Sequence, residues 1–338
     1  MKDIDWAKLT FSYTETDYMV RCTYSHGMWG PLSVCKDKTV TIPAAAAGLQ
    51  YAQQCFEGIK AYRRADGSIG IFRPDMNAKR MQDSAKAMYM APVPTDLFLK
   101  AIETAVIANI EYLPPYGTGA TLYIRPILFG TTPKVGVAPA QDFEFCVIVT
   151  PIGPYYPAGF GTTPFIINRH VDRAAPFGTG QYKVGGNYAS SFRATEPAHE
   201  AGVGVLFLDS AEHLYLDECG GANIFLVKNG TYCTPKSDSI LPSIINRSLM
   251  ELCHDMQIPV EERRIAVTEL ADFQEAASCG TGAAISPISQ ITDPDTGIVY
   301  RYGEEAGPVC QKLYHALRDI QFGRVEDRHH WCRILQEP

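Results

Sequence analysis

The chain has 338 residues, about twice an ordinary domain, so two domains are expected. Hydrophobic residues make up 46% and charged residues 20%, which provides for a large core or a buried subunit contact. The net charge of -7, with no Lys/Arg run, argues against a nucleic-acid partner, and no apolar run approaches the ~20 residues that span a bilayer. The start, Met1-Lys2-Asp3-Ile4-Asp5-Trp6, has acids where a signal peptide needs an apolar stretch. The ten cysteines are scattered without a C-x-x-C pair and read as reduced thiols, so the expected location is cytoplasmic.

In chain order, strands are expected over 18–24, 60–64 and 68–72. Pro74 then opens a helical pattern to about Met90, at a position where a missing N–H costs little. A second helix over 95–112 carries Leu97, Ile102, Val106 and Ile110 close to helical spacing. Strands follow at 120–129 and 143–150. The densest Pro/Gly/aromatic stretch, from Pro151 to Gly159, then separates two strand-rich regions. The expected division is an N-terminal α/β domain over 1–152, a connecting loop over 153–161, and a C-terminal α/β domain over 162–338 that carries the chemically distinctive lysine. In that second half, strands are expected at 163–168, 203–208, 214–217 and 223–227, and helices at 188–200, 244–256 and 307–322. Ser243 is a good N-cap for the middle helix. The fold class is α/β, with two mixed-sheet lobes.

Three segments carry possible chemistry. In Gly180-Gln181-Tyr182-Lys183-Val184-Gly185-Gly186-Asn187-Tyr188, a lysine between glycines leaves room for a bulky group to approach its amine. Attack on a carbonyl needs a neutral amine, and burial favours that form. In Leu216-Asp217-Glu218-Cys219-Gly220-Gly221-Ala222-Asn223-Ile224-Phe225, an acid pair ends a strand beside small residues. A helix beginning at Ile244 would offer unpaired N–H groups and a positive dipole end to an anion, with Arg73 and Thr281 as further donors. Taken singly, each has a bland alternative: a surface lysine, a solvated strand end, an ordinary capped helix.

Their combination and order resemble the fold-type IV family of pyridoxal-phosphate (PLP) enzymes, and within it the branched-chain amino-acid aminotransferases. The resemblance rests on K-x-G-G-N-Y, then E-x-G-x-x-N-I-F, the Leu241-Pro242 helix start and Gly280-Thr281. The first half adds Tyr51 to Tyr62, Phe72-Arg73-Pro74 and Tyr123-Ile124-Arg125-Pro126. It implies the D-amino-acid-aminotransferase-like fold and a homodimer. The implied activity is reversible, PLP-dependent transfer of the amino group of L-leucine, L-isoleucine or L-valine to 2-oxoglutarate. A D-amino-acid aminotransferase or an aminodeoxychorismate lyase of the same fold is the alternative.

The resemblance also implies roles. Lys183 would be the Schiff-base lysine and carry the proton between substrate Cα and cofactor. Tyr188 would bond the phenolic oxygen and Glu218 the pyridine nitrogen, a pairing that strengthens the ring as an electron sink. Arg73, the amides of Ile244 and Ile245, and Thr281 would hold the phosphate. The substrate α-carboxylate would meet Thr281-Gly282-Ala283 and Tyr123. An aromatic wall of Tyr51, Phe56, Tyr155 and Tyr188 would take the side chain, and Arg125 would meet the side carboxylate of glutamate.

Departures from the family pattern are Ser243 and Asn246, where Gly and Arg are usual, and Gly282, where Ala is common. The redox C-x-x-C of some mammalian members falls on Ala283 and Ser286. The glycine turns lack a full G-x-G-x-x-G, so a Rossmann dinucleotide site is not expected. His329, His330 and Cys332 read as a solvated tail rather than a metal site.

Overall fold

The computed structural model describes residues 2–153 and 160–336. It divides into two compact units: Met1–Pro157 with Tyr182–Gly185 and Asp319–Pro338, and Ala158–Gln181 with Gly186–Arg318. Two later segments therefore rejoin the first unit. Backbone pairing gives the reason: Val184 bridges Cys55, and the C-terminal strand Cys332–Leu335 pairs with 69–72.

The first unit contains β1 (Met19–Ser25), β2 (Met28–Trp29), β3 (Ser33–Cys35), β4 (Gln54–Phe56), β5 (Ile59–Arg63), β6 (Ile69–Phe72), β7 (Thr121–Gly130) and β8 (Phe143–Ile152). With the C-terminal strand they form one antiparallel sheet around the long β7–β8 hairpin. A short α1 (Ala47–Gln50) leads into β4, while α2 (Pro74–Ala87) and α3 (Thr95–Ala108) pack against the sheet. The helix α3 buries Phe98, Ala101, Ile102, Ala105 and Val106, which is the 3.6-residue stripe expected of an amphipathic helix. Its expected span to Tyr112 breaks after Ala108, where Asn109 turns to bond Tyr18 and a 3-10 turn follows. Cutting Phe98 to Ala in that fully buried site would cost roughly 3–5 kcal/mol.

Apart from Gly185 at the head of α4 and the end of α7 from Asp319, which belong to the first, the second unit contains β9 (Thr163–Asn168), α4 (Gly185–Ala189), α5 (Phe192–Glu200), β10 (Gly204–Leu208), β11 (Leu216–Cys219), β12 (Asn223–Lys228), β13 (Thr231–Pro235), α6 (Ile244–Asp255), β14 (Val260–Arg263), β15 (Glu275–Gly280), β16 (Ala284–Thr292), β17 (Val299–Arg301) and α7 (Pro308–Gln321). Its sheet is mixed: β9 runs parallel to β10 and β16, and β12, β15 and β16 are antiparallel neighbours. The single helix expected over 188–200 is two, because the chain breaks at Ser190 and Ser191, whose hydroxyls donate to backbone carbonyls. Glu275 is buried and accepts from the Val309 and Cys310 amides at 3.0 and 2.9 Å, so a carboxylate caps α7.

Candidate active site

Lys183 is fixed through its own peptide groups. Its carbonyl accepts from Phe56 N–H at 3.1 Å, and its N–H donates to the Ser84 hydroxyl of α2 at 3.0 Å. Gly185 allows this approach, since a Cβ there would lie 1.7 Å from Gln54 Nε2. The Lys183 amine lies over the Phe56 ring, 4.9 Å from its centre.

The same ring carries the Arg125 guanidinium at 4.8 Å, and Arg125 donates to the Tyr123 hydroxyl at 2.9 Å. Arg125 Nε is buried without a hydrogen-bond partner among the described residues. Phe56, Tyr123, Arg125 and Lys183 are thus brought together within the first unit. Tyr51, at the end of α1, donates its hydroxyl to the Val135 carbonyl. Tyr155 lies outside the described residues. Arg73 caps α2 at φ 45°, a left-handed conformation rare for a residue with a side chain. Its N–H bonds Trp331 O at 2.7 Å and its guanidinium lies 4.9 Å from the Trp331 ring.

In the second unit, Glu218 and Asp217 lie within β11 rather than at a solvated strand end, and both are buried. The Glu218 carboxylate accepts from the Arg173 guanidinium, from Leu241 N–H at 2.9 Å and from Asn223 Nδ2 at 3.0 Å. Those donors fix its plane. Asp217 takes the Ser239 hydroxyl, and burial raises its pKa above the usual carboxylate value. Close to Lys183 in sequence, Asn187 exchanges bonds of 2.7 and 2.6 Å with Thr179. Gly180 lies so close to Ser239 that a Cβ would come within 2.5 Å of its Cα.

Ser243 caps α6 as the sequence indicates, accepting from Asn246 N–H at 3.2 Å. The amides of Ile244 and Ile245 have no hydrogen-bond partner among the described residues, leaving the start of a twelve-residue helix open to an acceptor. Asn246 turns inward: its Oδ1 accepts from Tyr232 at 2.5 Å and its Nδ2 donates to Thr234 at 3.0 Å. Thr281, Gly282 and Ala283 form the half-buried turn between β15 and β16, followed by Ala284 at φ 69°. Tyr188, also half-buried, sits in α4.

The model of the amino-transferase class IV family matches residues 54–291. A branched-chain-amino-acid aminotransferase of Haemophilus influenzae is 42% identical over 98% of this chain and 98% of its own. This chain is a class IV aminotransferase of the branched-chain family. Among solved structures, the Escherichia coli branched-chain amino acid aminotransferase superposes with a TM-score of 0.79 at 25% identity, covering 94% of this chain and 99% of that one. The branched-chain amino acid aminotransferase of Thermobaculum terrenum, solved in its PLP form, gives 0.78 at 23%, covering 94% and 98%. The two mixed α/β units are thus those of PLP fold type IV.

Four side chains that organise this aminotransferase's candidate site were not singled out from sequence. Arg173 and Asn223 hold Glu218. Ser84 holds Lys183, and Glu57, fully buried, joins Arg80 and Asn77 of α2 at 2.7–2.8 Å. Glu57 and Asn223 stand inside the quoted motifs and were legible as polar residues amid apolar strands. Arg173 and Ser84 carry no local signal, because their partners lie 45 and 99 residues away. Among the described residues, no group of three or more His, Cys, Asp or Glu is arranged to hold a metal, and no helix is long and apolar enough to cross a membrane.

Proposed function

We propose that this aminotransferase moves the amino group of L-leucine, L-isoleucine or L-valine reversibly to 2-oxoglutarate, with pyridoxal 5'-phosphate as cofactor. The observation that carries the reading is Lys183. Its peptide group is pinned on both sides and its amine shares the Phe56 ring with Arg125, in a chain 42% identical to a relative named for branched-chain amino acids.

The residues fit a phosphorylated pyridine aldehyde. The open Ile244 and Ile245 amides suit a phosphate, and the buried, oriented Glu218 carboxylate suits a protonated ring nitrogen. Lys183 would hold the cofactor through its ε-amine and Tyr188 would bond its phenolic oxygen. Arg73, the amides of Ile244 and Ile245, and Thr281 would take the phosphate. When bound, PLP supplies the electron sink for the charge left as a substrate Cα–H bond breaks.

The chain's own residues supply the rest. Lys183 Nζ, freed by the incoming amine, would take the Cα proton and hand it to the cofactor's aldehyde carbon, the reverse transfer serving the second half-reaction. Tyr123 and the Thr281-Gly282-Ala283 turn receive the α-carboxylate. The rings of Tyr51, Phe56, Tyr155 and Tyr188 receive a branched apolar side chain, and Arg125, whose buried Nε has no partner among the described residues, receives the side carboxylate of glutamate or 2-oxoglutarate.

The test is turnover of a panel of L- and D-amino acids by PLP-loaded protein, together with its visible absorbance. Turnover of L-leucine, L-isoleucine and L-valine and a lysine-dependent band that Lys183→Ala abolishes are expected. Turnover of D-substrates alone, or no such band after PLP addition, overturns the reading.

The chain is further proposed to act in the cytoplasm as a homodimer, with 153–161 connecting its two domains. The low charged fraction agrees with a buried subunit contact. Light scattering at working concentration that reports only monomer would count against the dimer.

A further inference from the structure

One face of α2 carries a largely buried polar stripe whose last member meets the lysine segment. Asn77, Arg80 and Ser84 follow one another at the three- and four-residue steps that align side chains on a helix. Asn77 and Arg80 both bond Glu57. Glu57 lies between Phe56, which donates to the Lys183 carbonyl, and Gly58, which faces the Tyr123 hydroxyl. Ser84 ends the stripe, fully buried, with its hydroxyl accepting from Lys183 N–H. The Lys183 peptide is thereby held between two elements, the end of β4 and α2, and Glu57 ties those elements to each other.

We propose that Ser84 is a positioning residue for Lys183, keeping the lysine backbone in place while its amine leaves and rejoins its partner during each half-reaction. This rests on the reading that Lys183 bears the cofactor. The physical need follows from the side chain. Four flexible carbons separate Lys183 Cα from Nζ, so the amine returns to a fixed point only if Cα does not drift. The Phe56 bond holds the carbonyl side of the residue. The Ser84 bond holds the amide side and opposes rotation of the preceding peptide.

The test compares Ser84→Ala with Ala101→Gly, a control that weakens the same core in α3 without touching the lysine segment. Hydrogen exchange is followed at the Lys183 amide with and without PLP, beside single-turnover rates and KM for L-leucine. For S84A, Lys183 amide exchange should quicken about tenfold or more, the size set by one lost hydrogen bond, with β4 protection retained. Its kcat should fall about tenfold with KM within about twofold, as expected for a misplaced proton carrier. A101G should lower Tm but keep kcat and the Lys183 exchange rate.

Unchanged exchange and kcat in S84A would overturn the proposal, as would losses that A101G reproduces at equal Tm. Wild-type protein with no lysine-dependent PLP band would instead fail the underlying reading, while a normal band with an indifferent S84A fails only the positioning role.

Discussion

A Cβ on Gly58 would lie 2.1 Å from the Tyr123 hydroxyl and 3.0 Å from its Cζ, so Tyr123 occupies space that only glycine leaves open. The tyrosine cannot simply swing away without loss, because its hydroxyl accepts from Arg125 at 2.9 Å and its ring meets Phe11 edge-on at 5.2 Å. Gly58→Ala should displace the Tyr123 hydroxyl, proposed to receive the α-carboxylate that amino donor and acceptor share, and raise KM for both by about tenfold, the worth of one hydrogen bond. Steady-state kinetics on G58A beside Tyr123→Phe checks this. Unaltered KM in both variants would mean the pair does not face the substrate.

Glu57 is wholly enclosed and its carboxylate is met by Arg80 at 2.7 and 2.8 Å and by Asn77 at 2.7 Å. Removing one partner of such a pair leaves a poorly solvated charge behind. Glu57→Ala should therefore destabilise the first unit by roughly 3–5 kcal/mol. Replacing the pair together, E57A with Arg80→Ala, should cost less than the sum of the single changes. Urea unfolding of the three variants measures both effects, and additive losses would show that the pair is not coupled.

Asp217 gives the chain a pH signature. Burial raises its folded-state pKa above the ordinary 3.8, against smaller lowering by Ser239, Ser237 and Arg173. A raised carboxyl pKa means the folded state keeps a proton that the unfolded chain has released. The favourable contribution is complete below pH 3.8 and is lost as pH rises through the folded value. Asp217→Asn removes that dependence while keeping an acceptor for the Ser239 hydroxyl. Its Tm should exceed the parent's at pH 7 and converge with it near pH 3. A constant offset at every pH would refute a titrating Asp217.

The helices and strands that position the site were legible where one physical signal dominated. Pro74 at the head of α2, Ser243 capping α6 and the apolar stripe of α3 are local features, and the structure has each of them. Contacts across long sequence separations were not legible. Nothing around Lys183 announces that its peptide joins β4 and α2, and nothing around Arg173 announces Glu218. The break after Ala189 went unseen because serines are compatible with a helix until their hydroxyls find carbonyls. Asn246, where the family pattern usually has Arg, serves the interior instead: its side chain satisfies Tyr232 and Thr234. Asn246→Ala should accordingly cost roughly 1–3 kcal/mol in denaturant unfolding by orphaning the Tyr232 hydroxyl. Titration of PLP should find its affinity within about threefold of the parent's, a change below the worth of one hydrogen bond.

Arg125 is the residue proposed to separate the two kinds of substrate. Its guanidinium lies 4.8 Å from the centre of the Phe56 ring and 5.2 Å from that of Tyr123, one nitrogen is spent on the Tyr123 hydroxyl, and Nε is buried without a partner among the described residues. A branched aliphatic side chain gains nothing from that nitrogen, whereas a side carboxylate gains a charge-assisted hydrogen bond worth roughly 1.5–3 kcal/mol. Arg125→Gln should therefore raise KM for 2-oxoglutarate by about 10- to 100-fold, while KM for L-leucine changes less than about threefold. Arg125→Lys should not restore the acceptor, because a single ammonium cannot bond the Tyr123 hydroxyl and present a second, separately placed donor at once. Measuring each half-reaction separately distinguishes this from indirect damage. If Arg125 only props up Tyr123, both substrates suffer equally and R125Q matches the Tyr123→Phe variant; a selective loss for the dicarboxylate assigns the open nitrogen to the acceptor.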